Sequence, residues 1–143
     1  MQKTKGGCLC GAVTFAVTNT FEKLFLCSCD QCPQITGSGF ASNLFAGVHG
    51  FDWLGGADDI TSYQVPRRDI SKSFCKVCGS GVPWASGDGT TMIVPAGSLC
   101  DAVNVDERVR IFASERPAWA SGLEHVTAHA KFPEWSDQVR KIE

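Results

Sequence analysis

No apolar run in the 143-residue sequence approaches the roughly 18 residues of a membrane-spanning helix, which excludes a helical membrane protein. The opening residues, Met1-Gln2-Lys3-Thr4-Lys5-Gly6-Gly7-Cys8, carry positive charge with no apolar segment behind it. A secretory leader needs that segment, so the expected location is the cytoplasm. Clusters of basic residues are missing as well. The 13 lysines and arginines are scattered among 15 acids for a net charge of -2, and nucleic-acid backbones are held by clustered cations, so no nucleic-acid partner is expected. Aromatic residues do not alternate with a basic stripe either. No segment sustains an i, i+3, i+4 apolar stripe, which leaves room only for a short helix or turn after Cys29 and another from Asp101. Linkers, charge blocks, low-complexity tracts and tandem repeats are all absent, so one domain over residues 1–143 is expected. Pro133 suggests that the last ten residues form a tail or cover.

What the sequence does contain is strand pattern. Short apolar segments rich in Val, Ile, Phe and Thr alternate with polar residues over 12–17, 23–27, 42–48, 60–65, 70–74, 90–94 and 108–112. Fifteen glycines punctuate them and supply the tight connections between strands. The expected class is mainly β.

Eight cysteines are the other strong feature. Reductants keep cytosolic thiols reduced, so metal binding is a better reading than a disulfide framework. Cys75-Lys76-Val77-Cys78-Gly79 has the form of a zinc knuckle, two thiolates across a turn with a glycine that permits the reversal. A redox dithiol of the same spacing begins a helix in a βαβ unit, whereas strand pattern surrounds this one. Tetrahedral zinc takes four ligands, and Cys8-Leu9-Cys10-Gly11 is the natural second pair. Cys8, Cys10, Cys75 and Cys78 would then form a closed structural site.

Cys27-Ser28-Cys29-Asp30-Gln31-Cys32 places three thiols in six residues, a density that core packing does not require. Catalytic zinc keeps three protein ligands and an open fourth position, and Cys27, Cys29 and Cys32 match that arrangement. A three-thiolate site is a good host for another sulfur, which points to a thiol substrate, and its ion is expected to be labile. Cys100 admits two readings. As a fourth ligand it would close the triplet into a second structural site. As a free thiol at an apolar strand end it would be buried and inert, the favoured reading.

Other side chains are given ordinary roles. His49, His125 and His129 have no close cysteine neighbour and are expected at the surface or satisfied inside. Trp53, Trp84, Trp119 and Trp135 are expected to fill the core, with one of the four in a cleft. Arg67 and Arg68 follow Pro66 in what reads as a solvated turn, although a guanidinium there could clamp a carboxylate.

Taken together, Gly7-Cys8-Leu9-Cys10-Gly11-Ala12-Val13, the triplet followed by Thr36-Gly37-Ser38, Phe74-Cys75-Lys76-Val77-Cys78-Gly79-Ser80, and Ile111-Phe112 with Arg116-Pro117-Ala118-Trp119 resemble the glutathione-dependent formaldehyde-activating enzyme family. The resemblance implies a β-tent of short antiparallel sheets stapled by a four-cysteine zinc site. It also implies two zinc ions, one structural on Cys8, Cys10, Cys75 and Cys78 and one catalytic on Cys27, Cys29 and Cys32, with position 100 no ligand. Ser28 stands where the family commonly has histidine, and Pro33 and Gln34 stand where basic residues often follow the triplet. The activity implied is that of a carbon–sulfur lyase or synthase acting on a small glutathione-like thiol and an aldehyde such as formaldehyde. The alternative is a non-catalytic β binding module with two structural zinc sites. The sequence does not fix the oligomeric state.

Overall fold

The computed structural model describes residues 2–133; the expectations for Trp135 and for the last ten residues lie outside them. In chain order the strands are β1 Lys3–Gly7, β2 Thr14–Thr18, β3 Phe21–Cys27, β4 Ala41–Gly47, β5 Phe51–Gly55, β6 Ile60–Gln64, β7 Ser71–Cys75, β8 Gly81–Val82, β9 Trp84–Ala85, β10 Thr91–Pro95 and β11 Val105–Ile111. A single short helix, α1 Cys32–Thr36, and several 3-10 turns complete the described residues. The fold is mainly β, in short sheets, as expected.

Three sheets result, with strand orders β1-β2-β5, β11-β3-β4-β10-β9 and β6-β7-β8. Every pairing is antiparallel except β3 with β11, which run parallel and bring Ile111 beside Cys27. That exception follows from distance along the chain, since a parallel neighbour needs a long crossover and cannot come from a tight hairpin. Phe15 and Val17 from β2 meet Phe21, Leu44, Met92 and Val94 from the five-stranded sheet to form the main core. Phe51 stacks on Phe15 with ring centroids 5.4 Å apart. The consecutive burial of Met92, Ile93 and Val94 marks β10 as covered on both faces.

Seven strands coincide with the alternating segments of the sequence. Four do not: β8 and β9 are two residues each, Lys3–Gly7 is polar and glycine-rich, and Phe51–Gly55 leaves most of its side chains exposed. The helix expected from Asp101 does not form. The Cys100 N–H donates to Lys5 O at 2.9 Å and Leu99 bridges to Gly6, so this stretch is tied to the edge of β1 as extended chain.

Gly56 controls how the cysteine loop before β2 is seated. Its φ of 73° is left-handed, and a Cβ there would lie 1.8 Å from Ala12 O and 2.7 Å from Ala12 C. Backbone atoms cannot yield as a flexible side chain can. The expected result of Gly56→Ala is a loss of at least about 1–3 kcal/mol of stability, read as a lower denaturation midpoint at unchanged slope in urea.

Candidate metal centres

The first cluster forms where two turns from different sheets meet. After β1 the chain reverses with Gly11 N–H donating to Cys8 O (3.1 Å) and Cys8 N–H to Val13 O (3.0 Å), which presents Cys8 and Cys10 on one side. After β7 the Gly79 N–H donates to Cys75 O (2.7 Å), with Gly79 at φ 76°, and the knuckle presents Cys75 and Cys78. The Ser80 hydroxyl joins the turns: it accepts the Leu9 N–H at 3.1 Å and lies 3.3 Å from Cys78 Sγ. All four sulfurs lie within 4.8 Å of one another. Cys8 and Cys10 are 3.6 Å apart and Cys10 and Cys75 3.9 Å. A tetrahedral ion bonded to thiolates at about 2.3 Å spaces its sulfurs by about 3.8 Å. These four residues therefore fit a metal ion.

The triplet lies on the five-stranded sheet. Cys27 ends β3, flanked by Ala41 of β4 and Ile111 of β11. The chain then folds over, with Ser28 N–H donating to Ile111 O (3.1 Å) and Cys32 N–H to Cys29 O (3.1 Å). Pro33 sits in the first turn of α1, where a missing N–H costs nothing, and Gly37 at φ 67° ends the helix. Ser28 is only 3% exposed and its hydroxyl donates to Gly39 O at 2.9 Å. Cys27, Cys29 and Cys32 are all buried, with their sulfurs within 4.8 Å of one another. Cys29 and Cys32 are 3.2 Å apart, so these three could also hold a metal ion after a small adjustment of rotamers.

The remaining candidates lie elsewhere. Cys100 is exposed, not buried as expected, and is not grouped with the triplet. The extended pairing with β1 that replaced the expected helix leaves its side chain at the rim of a cavity. His49, His125 and His129 are exposed and belong to neither cluster. Trp119 is 64% exposed, outside the core expected for it, because its turn lays the ring over Gly39 at the surface. Trp53 packs edge-on to Phe15 and Phe51.

Two cavities adjoin the triplet. One of 680 Å³ runs between the clusters, bounded by Cys8 and Cys32 and by Lys72, Asn43 and Cys100. The other, of 350 Å³, lies against Cys27, Cys29 and Cys32 under Phe25, Phe45 and Phe112. Trp84 and Asn43 line both. Phe112 holds a left-handed φ of 53°, a strain of about 1–2 kcal/mol for a bulky residue. The turn bearing Arg68 borders the smaller cavity together with Asp69 and Asp88. Gln31 also lines that cavity, and its buried Oε1 has no hydrogen-bond partner among the described residues. Neither Gln31 nor Lys72 could be found from spacing, since their neighbours come from distant strands.

Protonation differs sharply within each cluster. The Ser80 hydroxyl and N–H, with the Cys10 N–H, pull Cys78 down to about 5. Cys10 is pushed up to about 12: the Ala12 N–H favours its thiolate, but desolvation and the thiols of Cys8, Cys78 and Cys75 outweigh that help. In the triplet, burial raises Cys32 and Cys27, and the Cys29 thiolate raises them further. Burial opposes ionisation of Cys29 too, but hydrogen bonds from the Cys32 thiol and from the Cys32 and Gln31 N–H groups overcome it and lower its pKa.

Comparison with known proteins follows the same lines. The family model described as glutathione-dependent formaldehyde-activating enzyme matches residues 3–115, which includes all eight cysteines. The crystal structure of a Rhodobacter sphaeroides protein superposes with a TM-score of 0.59 at 25% identity, covering 73% of this chain and 99% of that one.

Cys10, Cys27 and Cys32 have raised pKa values and hold protons at neutral pH, and a metal must displace those protons to bind. Affinity is therefore expected to rise with pH and to fall in acid. Zinc titrated into the reduced, metal-free chain should bind at two sites, with a heat that differs between buffers of unlike ionisation enthalpy. A buffer-independent heat would contradict the assignment.

Proposed function

The chain belongs to the glutathione-dependent formaldehyde-activating enzyme family, and from that premise we propose a zinc-dependent carbon–sulfur lyase or synthase that joins a small glutathione-like thiol to formaldehyde or a similar aldehyde. Cys8, Cys10, Cys75 and Cys78 hold a structural zinc ion. Cys27, Cys29 and Cys32 hold the second, at the catalytic centre. The observation that carries the reading is the triplet itself: three buried, convergent thiols, no fourth cysteine, histidine or carboxylate grouped with them among the described residues, and cavities against them. A purely structural role for both clusters needs a fourth side chain at the triplet, and Cys100 does not supply one.

Zinc bound at the triplet supplies a site where a thiol ionises near neutral pH, well below its usual value of about 8.5. The protein's own residues do the rest. Phe25, Phe45, Ile93 and Ile111 give the smaller cavity an apolar wall that limits water around the reacting carbon. In the forward direction the sulfur–carbon bond forms, the carbonyl π pair moves onto oxygen, and oxygen takes up the proton that the thiol gives up. The product is a hydroxymethyl thioether, with no net redox change. Gln31 lines the smaller cavity and its Oε1 has no donor among the described residues; turned toward the cavity, that oxygen accepts the hydrogen bond of the new hydroxyl. Thiols and formaldehyde also combine unaided, so placement of the two reactants supplies most of the acceleration needed.

With the zinc-loaded protein, exchange NMR of a glutathione and formaldehyde mixture should show faster interconversion of free and adduct formaldehyde. Cys29→Ser should lose that acceleration and one of two zinc ions in native mass spectrometry, while Cys100→Ser keeps both. Equal exchange rates with and without the unmodified protein would refute the activity.

A further inference from the structure

The 680 Å³ cavity contains one ionisable side chain other than cysteine. Lys72, on β7, is the sole Asp, Glu, Lys, Arg or His among the residues that line it. Lys3, Lys23 and Lys76 each pair with a carboxylate, whereas no acidic partner and no hydrogen bond from its ammonium is found for Lys72 among the described residues. The side chain is half-buried and desolvation lowers its pKa, the mark of a cation facing a site without a counter-charge. Gly81 makes room for it: a Cβ there would lie 2.8 Å from Lys72 Nζ. Around it the wall is uncharged, with Ser42 and Asn43 from β4 free of side-chain hydrogen bonds among the described residues. Cys32 of the triplet also lines this cavity.

The smaller cavity has the opposite character. Arg68 is exposed there beside two acids. Asp69 accepts the Gly87 N–H at 2.7 Å, and Asp88 is held ionised by the Ser86 hydroxyl and the Thr90 N–H and hydroxyl. An anion entering on that side meets two carboxylates for one guanidinium.

We propose that Lys72 is a specificity-determining residue, binding a carboxylate of the thiol substrate in the larger cavity so that the site selects small thiols bearing a carboxylate over neutral ones. The proposal rests on the thiol-binding reading above. A volume of 680 Å³ lies within the range of about 300–1,000 Å³ that suits a small organic ligand. Lys72 and Cys32 both line this cavity, so one molecule occupying it can present a carboxylate to the first and a sulfur to the second.

The test separates binding from turnover. S-methylglutathione, which has the carboxylates but no ionisable sulfur, is titrated into the zinc-loaded protein and followed by tryptophan fluorescence, since Trp84 lines the cavity. A charge-assisted contact is worth roughly ten- to a hundredfold in affinity, so Lys72→Met should weaken binding by about that factor. Lys72→Arg should recover part of the loss. Lys72→Gln, which keeps a polar side chain but removes the charge, should weaken binding in the same direction if Lys72→Met does not fold. In turnover, Lys72→Met should lower kcat/KM for glutathione while 2-mercaptoethanol, a neutral thiol, keeps its value. Unchanged S-methylglutathione affinity in both variants would overturn the proposal, as would an equal or larger loss in Arg68→Gln. If the unmodified protein accelerates no thiol yet binds S-methylglutathione through Lys72, the catalytic reading fails and the anion site stands.

Discussion

Sulfur atoms from two turns that lie 65 residues apart in the chain are brought within a few ångströms of one another, and the arrangement of the sheets depends on that meeting. The β1–β2 turn belongs to one three-stranded sheet and the β7–β8 turn to another. Beneath the sulfurs the apolar contact between these sheets is small, centred on Val13 and Val82 with the cysteines themselves. Thiols crowded in this way resist joint ionisation, as the raised Cys10 shows, so their proximity is not self-stabilising. A structural zinc contributes about 10–16 kcal/mol in small zinc domains, comparable with the whole stability of an ordinary domain, about 5–15 kcal/mol. On the proposed reading, that term fastens the outer sheets while the Phe15, Leu44 and Val94 core holds the central one.

Buried strand segments were legible as short apolar runs rich in β-branched and aromatic residues, as in Thr14–Thr18 and Thr91–Pro95, each buried at three consecutive positions. Strands that escaped are held by their neighbours more than by their own side chains. Lys3–Gly7 is fixed by its ladder with β2 and by the Gly6–Leu99 bridge, neither of which leaves a local pattern. The partition of the cysteines into four and three was legible from spacing, because each pair or triplet lies within one turn. Cys100 shows the limit of that argument. An apolar run precedes it, and an apolar run suggests burial, but the chain leaves the core at Pro95 and places the thiol at a cavity rim. Lys72 and Gln31 were invisible for a different reason: what makes them distinctive is a missing partner, and only tertiary structure reveals which partners are missing.

Ser28 gives a physical account of a departure from the family pattern. Its hydroxyl is directed away from the cavities toward Gly39 O, and its N–H is held by Ile111 O. The residue thus locks the loop between Cys27 and Cys29 to the end of β11 and to the segment that leads into β4. A Cβ at Gly39 would come within 2.5 Å of Ala120 Cβ, so the chain is close-packed on that side. The serine fits this pocket with its one donor satisfied, which makes its contribution to the triplet one of placement.

The position of Cys32 has a consequence for how two reactants of unlike size could share one site. Cys27 and Cys29 border only the smaller cavity, but Cys32 borders both. On the proposed reading a thiol with a bulky polar body lies in the larger space and reaches the triplet past Cys32. The smaller space then remains for the aldehyde. Its aromatic walls suit a compact, uncharged molecule and offer Gln31 as an acceptor once the carbonyl becomes a hydroxyl. The reverse placement puts the carboxylates beside Asp69 and Asp88, where repulsion opposes binding, and leaves formaldehyde in a cavity nearly twice the size. Charge and volume therefore select the same assignment, and they do so independently.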